Sequence, residues 1–326
     1  MIPEMIRPAA PNELLCTRLL DAPRELVFQA WTQPERLAQW WGEPGQFSLE
    51  ACDADLRPGG AYRKAMRGGN GALYIQQGKY IEIDAPARLV YTEACDEENA
   101  PFQEWLVTVT FDDYFGQTLI AIRAQFEWTA PDAAWSAAWM KGQREVFSRL
   151  ASHADGTAET AGRIFELKRA FDAPRALVFD AWVNPKHMAR WWGPLEFENP
   201  VCQLDPQPGG AFRIVMRGPD GGDNPMKGHY LEVTPHERLV FTDDLSEESE
   251  AWHDLVYPDR DRSQPNPGVV ALTSLSFTES AGKTEMTVLM TFDSAWTHNH
   301  HVRVGMTQGW LESFTKLEAL LAAAQR

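Results

Sequence analysis

The pattern of apolar and polar positions along this chain is spelled out twice, in the same order. ELLCTRLL (Glu13–Leu20) and IFELKRAF (Ile164–Phe171) read as strands. Asp21-Ala22-Pro23 and Asp172-Ala173-Pro174 follow, each opening a short helix with proline in the first turn, where its missing N–H costs nothing. Val27, Ala30 and Trp31 recur at helical spacing, as do Val178, Ala181 and Trp182. A second short helix is predicted to begin at Pro34, after Gln33, and at Pro185, after the capping-type Asn184. On it Leu37, Trp40 and Trp41 share a face, as do Met188, Trp191 and Trp192, and Gly42 and Gly193 stop it. Five or six strand-like runs come next, divided by turns such as PGG and GGNG, and their short connections imply antiparallel pairing. In one of them Tyr80, Glu82 and Asp84 alternate with Ile81 and Ile83. Each copy closes with a long helix, the second carrying the stripe Met306, Trp310, Phe314, Leu317 and Leu320/Leu321. The predicted fold class is α+β, with a curved antiparallel sheet wrapped around the closing helix of each copy and two short helices after the first strand.

The duplication is literal in places. DAPRELVFQAWTQPERLAQWWG (Asp21–Gly42) and DAPRALVFDAWVNPKHMARWWG (Asp172–Gly193) agree at 14 of 22 positions, 151 residues apart. Further along, LRPGGAYRKAMRG answers DPQPGGAFRIVMRG, GKYIEI answers GHYLEV, RLVYT answers RLVFT, and VTVTF answers TSLSF. The order breaks once, between Asp243 and Leu272, where the second copy has an insert rich in charge and proline that reads as a surface loop. The expected organisation is a first domain over 1–152, a small polar linker over 153–162 and a second domain over 163–326. A length of 326 residues suits two domains of roughly 100–200 residues each.

Charge changes the picture of partners. The chain has 30 Lys and Arg against 46 Asp and Glu, a net −16, shared equally between residues 1–155 and 156–326. Such a field repels nucleic acid and anionic lipid, so neither is expected as a partner. No stretch reaches the ~18 apolar residues of a membrane span, and the first residues lack the apolar run of a signal peptide. Cys16, Cys52, Cys95 and Cys202 are scattered without a C-x-x-C, which points to a reducing cytoplasm and away from a disulfide or zinc framework. No cofactor is implied: G-x-S-x-G, a P-loop, H-E-x-x-H and a strand-following G-x-G-x-x-G are all absent.

The combined series D-A-P-x-x-x-V-F-x-A-W, P-x-x-x-x-x-W-W-G, P-G-G-x-(Y/F)-R-x-x-M-R-G, G-x-Y-x-E-(I/V) and R-L-V-(Y/F)-T resembles the activator of heat-shock protein 90 ATPase homologue-like family, within the START/SRPBCC helix-grip superfamily. The resemblance spans nearly all of both copies. It implies a helix-grip fold with a cavity between sheet and closing helix. Such domains bind hydrophobic small molecules, serve as co-chaperone modules, or in some relatives cyclise or hydrolyse a substrate. The family has no shared catalytic set to transfer.

Candidate site residues follow from where aromatic and soft side chains fall in that scheme. They are Trp41, Met66, Tyr80, Phe126, Trp128 and Trp139 in the first copy, and Trp192, Met216, Tyr230, Phe292, Trp296 and Met306 in the second. The tryptophan pairs either stack on a flat ligand or plug the core and tether the helix; packing is the favoured reading, with a pocket role for one member. Among Arg63, Arg67, Glu82 and Glu93, and Arg213, Arg217, Glu232 and Asp243, solvent-facing cross-strand pairs are expected, with Glu82 and Glu232 the preferred inward carboxylates. His298, His300 and His301 lie close enough to consider a metal, but an exposed helix start that happens to be histidine-rich is the favoured reading and no metal site is assigned. The functional expectation is a protein that holds a hydrophobic or aromatic small molecule. The alternatives are a chaperone-binding interaction module and a cyclase- or hydrolase-type enzyme with one active pocket, lidded by the insert. The two domains are further expected to pack as a pseudo-dimer.

Overall fold

A computed structural model describes residues 9–43, 47–69, 71–96, 104–126, 133–153 and 162–325. The chain divides into two compact units, and the expected linker lies mostly outside the described residues.

In the first unit β1 (Glu13–Leu20) leads into α1 (Arg24–Thr32) and α2 (Pro34–Trp40). The strands β2 (Gly42–Glu43), β3 (Phe47–Ala54), β4 (Ala61–Gly68), β5 (Leu73–Asp84), β6 (Arg88–Asp96), β7 (Glu104–Tyr114) and β8 (Gln117–Gln125) follow, and α3 (Ala133–His153) closes the unit. The sheet runs β1-β8-β7-β6-β5-β4-β3-β2, antiparallel throughout. First and last long strands of the chain segment are thus neighbours, and the two short helices and α3 cover one face. The core joins Val27, Ala30 and Trp31 of α1 and Phe147 and Leu150 of α3 to Tyr91, Val109 and Ile122 of the sheet. β1 and β8 are pinned by a buried ion pair, Arg123 Nη1 to Glu13 Oε2 at 2.6 Å.

The second unit repeats this plan. β9 (Ile164–Phe171), α4 (Arg175–Val183) and α5 (Pro185–Trp191) precede β10 (Glu198–Leu204), β11 (Ala211–Arg217), β12 (Asp223–Thr234) and β13 (Arg238–Asp244). Then come α6 (Glu250–Val256), β14 (Val269–Ser280), β15 (Lys283–Phe292), α7 (Ala295–Arg303) and α8 (Met306–Ala324). Sheet order is β10-β11-β12-β13-β14-β15-β9. Both units are helix-grip folds. The predicted helix starts hold: Pro34 and Pro185 open α2 and α5, and the Asn184 side chain accepts the Lys186 N–H. Pro23 and Pro174 stand one step earlier than expected, as the capping residues of α1 and α4.

Three features differ from the sequence reading. The insert is more than a surface loop, because α6 carries His253 and Val256 fully buried and Tyr257 nearly so. Ser249 caps it, accepting the Trp252 N–H. The closing helix of the second unit is broken: Gly305, at φ 101°, separates α7 from α8. Finally, a bulge interrupts β5 between Tyr80 and Glu82, and β12 between Tyr230 and Glu232. Each bulge flips the residues beyond it, so strict alternation fails there.

Candidate functional site

In both units the inner sheet face meets the tryptophan-tipped second helix. Trp40 and Trp191, first of each pair, are buried, and their indole N–H groups donate to the carbonyls of Ala30 and Ala181 at 3.0 and 2.9 Å. They lock α2 onto α1 and α5 onto α4. Trp41 and Trp192, second of each pair, turn toward the sheet instead. Trp41 donates to Met66 Sδ at 3.3 Å, while Trp192 packs edge-on against Trp182 and Trp310, with centroids 5.7 and 5.2 Å apart.

A small void lies beneath each helix pair. That of the first unit measures about 20 Å³ and is walled by Trp31, Leu37, Cys52, Tyr62, Lys64, Tyr80, Leu89 and Tyr91. That of the second measures about 10 Å³ and is walled by Trp182, Met188, Trp192, Leu204, Phe212, Ile214, Met226, Tyr230, Leu239 and Phe241. Each has room for about one water. The two linings are counterparts, strand for strand, yet chemically unlike. In the first unit Lys64 Nζ sits 3.7 Å from the centroid of the Trp41 ring, a cation–π contact. Tyr62 donates to Glu93 Oε2 at 3.2 Å. Burial pushes the Glu93 carboxyl up, against the pull of Lys64 and of the Tyr62 hydrogen bond. Burial likewise pushes the Tyr80 phenol up to about 12. In the second unit Phe212, Ile214 and Phe241 stand where Tyr62, Lys64 and Tyr91 stand in the first.

The glycine between these rows is required. A Cβ at Gly78 would lie 1.7 Å from the Thr92 carbonyl oxygen and 3.0 Å from the Tyr62 ring; at Gly228 it would lie 1.9 Å from the Thr242 oxygen and 2.6 Å from the Phe212 ring. The missing side chain lets the aromatic ring cross its neighbouring strand toward the acid at Glu93 or Asp243.

Of the residues expected at the site, Tyr80, Trp192 and Tyr230 line the voids. Trp41 and Met66 meet at the edge of the first, and Met216 packs beneath Gly193, against the second core. Trp139 and Met306 are half-buried on the closing helices. Phe126 is buried beside Trp105 and Trp135, and Phe292 beside His298 and His301, so both belong to core packing. Trp296 is 41% exposed and stacks on Tyr257 and His300, away from the void. Trp128 lies outside the described residues. Of the two preferred inward carboxylates, Glu82 is exposed and Glu232 is buried at 1% exposure, both on the sheet face away from the void. The bulges pair them with Val90 and Val240, on the face opposite Tyr91 and Phe241, where they meet Arg88 and Arg238 at 3.2 Å. On the face that carries Tyr91 and Phe241 the buried carboxylates are Glu93 and Asp243, 7% and 5% exposed. Three of the arginines make exposed ion pairs with acids outside the expected set, Arg67 with Glu50, Arg213 with Glu247 and Arg217 with Asp223. His298 and His301 both face Phe292 and His300 turns to Trp296. Among the described residues no group of three His, Cys, Asp or Glu side chains is arranged to hold a metal.

Sequence reasoning missed Tyr62, Lys64, Tyr91, Met188 and Met226. The signal was the period-two pattern of AYRKAMRG and RLVYTEA, which puts Tyr62 with Lys64, and Tyr91 with Glu93, on one face.

The family described as activator of Hsp90 ATPase homolog 1-like protein matches residues 21–155 and again 172–322. The chain belongs to this family, in two tandem copies. Each of three similar solved structures matches about half of this chain. A Nitrosomonas europaea protein is 26% identical over 50% of this chain and 97% of its own, with a TM-score of 0.41. A Chromobacterium violaceum protein is 26% identical over 45% of this chain and 99% of its own, at 0.39. A Mycobacterium smegmatis protein is 22% identical over 51% and 95%, at 0.42. No functionally curated protein matches the chain. Among the described residues of this tandem family member, no helix is long and apolar enough to cross a membrane.

Proposed function

We propose that the protein binds an apolar or aromatic small molecule, in the second unit above all, between the inner sheet face and the helix pair α4–α5. The observation that carries this reading is the wall of that site: five aromatic side chains, Trp182, Trp192, Phe212, Tyr230 and Phe241, together with Met188 and Met226. The 10 Å³ void is far smaller than any such ligand, so the ligand opens the site. Methionine suits that, since its unbranched chain refills irregular gaps at little cost. The test is native mass spectrometry of protein purified from its own host, before and after denaturation. A stoichiometric apolar compound lost on unfolding, and absent from Trp192→Ala, is expected. Protein that carries nothing, and gives no calorimetric heat with simple aromatic probes, overturns the reading.

One observation favours a second reading. The interiors are nearly filled, as a co-chaperone module would have them, and Leu255 and Trp296 stand 60% and 41% exposed on α6 and α7. Titration with a purified Hsp90 separates the two: saturable binding weakened by Trp296→Ala supports the interaction role.

A further inference from the structure

The two copies of the acid on the sixth strand of the plan, Glu93 and Asp243, have opposite surroundings. Glu93 is answered from within its own unit, by the Tyr62 hydroxyl at 3.2 Å and by the charge of Lys64. Asp243 holds the same inward, buried position without either: Phe212 stands for Tyr62 and Ile214 for Lys64. The hydrogen bond it receives is from Thr273 Oγ1 at 2.5 Å. Its strand neighbours add no bulk, since Ala271 pairs with it on β14 and Gly228 lies on the other side. Leu239 and Phe241, on the same face of β13, line the void. A buried carboxylate therefore lies on the inner face two residues beyond Phe241, a wall of the void, with an isoleucine and a phenylalanine where the first unit has a cation and a phenol. Burying such a charge is unfavourable unless something pairs with it.

We infer that the second unit selects an apolar amine, a molecule with an aromatic or aliphatic body and one primary ammonium group that Asp243 accepts as its hydrogen-bonding partner. The inference rests on the reading of this pocket as a site for an apolar body. The aromatic walls favour the same ligand, because ring faces attract an ammonium that an alcohol or hydrocarbon does not carry. Burial pushes the Asp243 carboxyl up to about 7, so it is ionised in mildly alkaline buffer and available to a cation.

The experiment is calorimetric titration of the full chain, at about pH 8, with 2-phenylethylamine, 2-phenylethanol and ethylbenzene, three probes that share one body. A hydrogen bond to a charged group predicts amine binding tighter than alcohol by about tenfold or more. Asp243→Asn is expected to bring amine and alcohol to equal affinity while leaving ethylbenzene unchanged. Ile214→Lys, which places a lysine where the first unit has Lys64, is expected to remove the preference for amine over alcohol, and serves where the Asn variant does not fold. Equal affinity of amine and alcohol in the unaltered protein, or a preference that survives Asp243→Asn, overturns the inference and leaves the apolar-pocket reading standing. Failure of all three probes to bind overturns both.

Discussion

Trp191 and Trp192 are adjacent, of one chemistry, and do different work. Trp191 is fully buried and ties α5 to the Ala181 carbonyl; Trp192 forms a wall of the void. Trp191→Phe removes the donor and leaves a buried carbonyl without its partner, so a loss of roughly 2–3 kcal/mol in urea unfolding is expected. Trp192→Phe is expected to cost less stability and to show in ligand binding. At Asp243 the sign of the pH effect can be worked out. Its carboxyl is near 3.9 in the unfolded chain and about 7 in the fold. The native state therefore holds the proton more tightly, and the associated stability is present below about pH 4 and lost as pH rises through about 7. Asp243→Asn escapes that loss. Relative to the unaltered protein it should gain on the order of 3 kcal/mol between pH 4 and pH 8. Urea midpoints of both proteins at the two pH values check this, and a constant difference between them would show that the buried charge is not what the fold opposes.

Elements explain what was legible in the sequence and what was not. The tandem order of strands and helices could be read because period 2 and period 3.6 are strong signals, and because Pro34, Pro185 and Asn184 mark helix starts. The facing of Glu82 and Glu232 could not, since a one-residue bulge leaves no mark on composition yet reverses every side chain beyond it. α6 was hidden by its charges and by Pro258, although the Ser249 cap was present in the sequence. The identity of the pocket residues was half legible: Tyr230 and Trp192 were found by aromatic content, whereas Lys64 and Ile214 emerge only when the two inner faces are compared row by row. Two expectations belong to these elements. Gly305 holds a left-handed conformation at the junction of α7 and α8, so Gly305→Ala should lower stability by about 1 kcal/mol or more, read as a fall in Tm. His253 is completely buried, and its ring meets the Leu245 carbonyl. Burial, then Arg260, holds its pKa below the usual value, while Glu250, the Leu245 carbonyl and Asp254 oppose them. With the folded pKa depressed, the unfolded chain takes up the proton first, and stability is lost as pH falls below about 6.5. The sign is opposite to that at Asp243. His253→Leu should flatten the acid side of the stability profile, measured by urea unfolding from pH 7 to pH 5.

At the scale of the whole molecule, duplication has preserved architecture and released chemistry. Each unit completes its own antiparallel sheet, with β1 beside β8 and β9 beside β15, and each has a separate core. Among the described residues, neither sheet contains a strand of the other unit. A unit of about 150 residues buries enough of its surface to fold alone. Residues 1–152 and 163–326, expressed separately, are therefore expected to unfold cooperatively in urea with native-like near-ultraviolet circular dichroism. A fragment with secondary structure but no near-ultraviolet signal would show that its packing needs the rest of the chain. The same fragments divide the chemistry. The first keeps a lysine, three tyrosines and a glutamate on its inner face, already paired among themselves at Tyr62 and Glu93. The second keeps a buried aspartate beneath apolar walls. If the pockets act independently, a simple aromatic probe should bind the 163–326 fragment with the affinity of the full chain and bind 1–152 at least about tenfold more weakly, because an apolar body over Lys64 and Glu93 would bury charge without replacing its partners. Comparable binding by both fragments would mean that the exchange of Tyr62 and Lys64 for Phe212 and Ile214 does not control what the pockets accept.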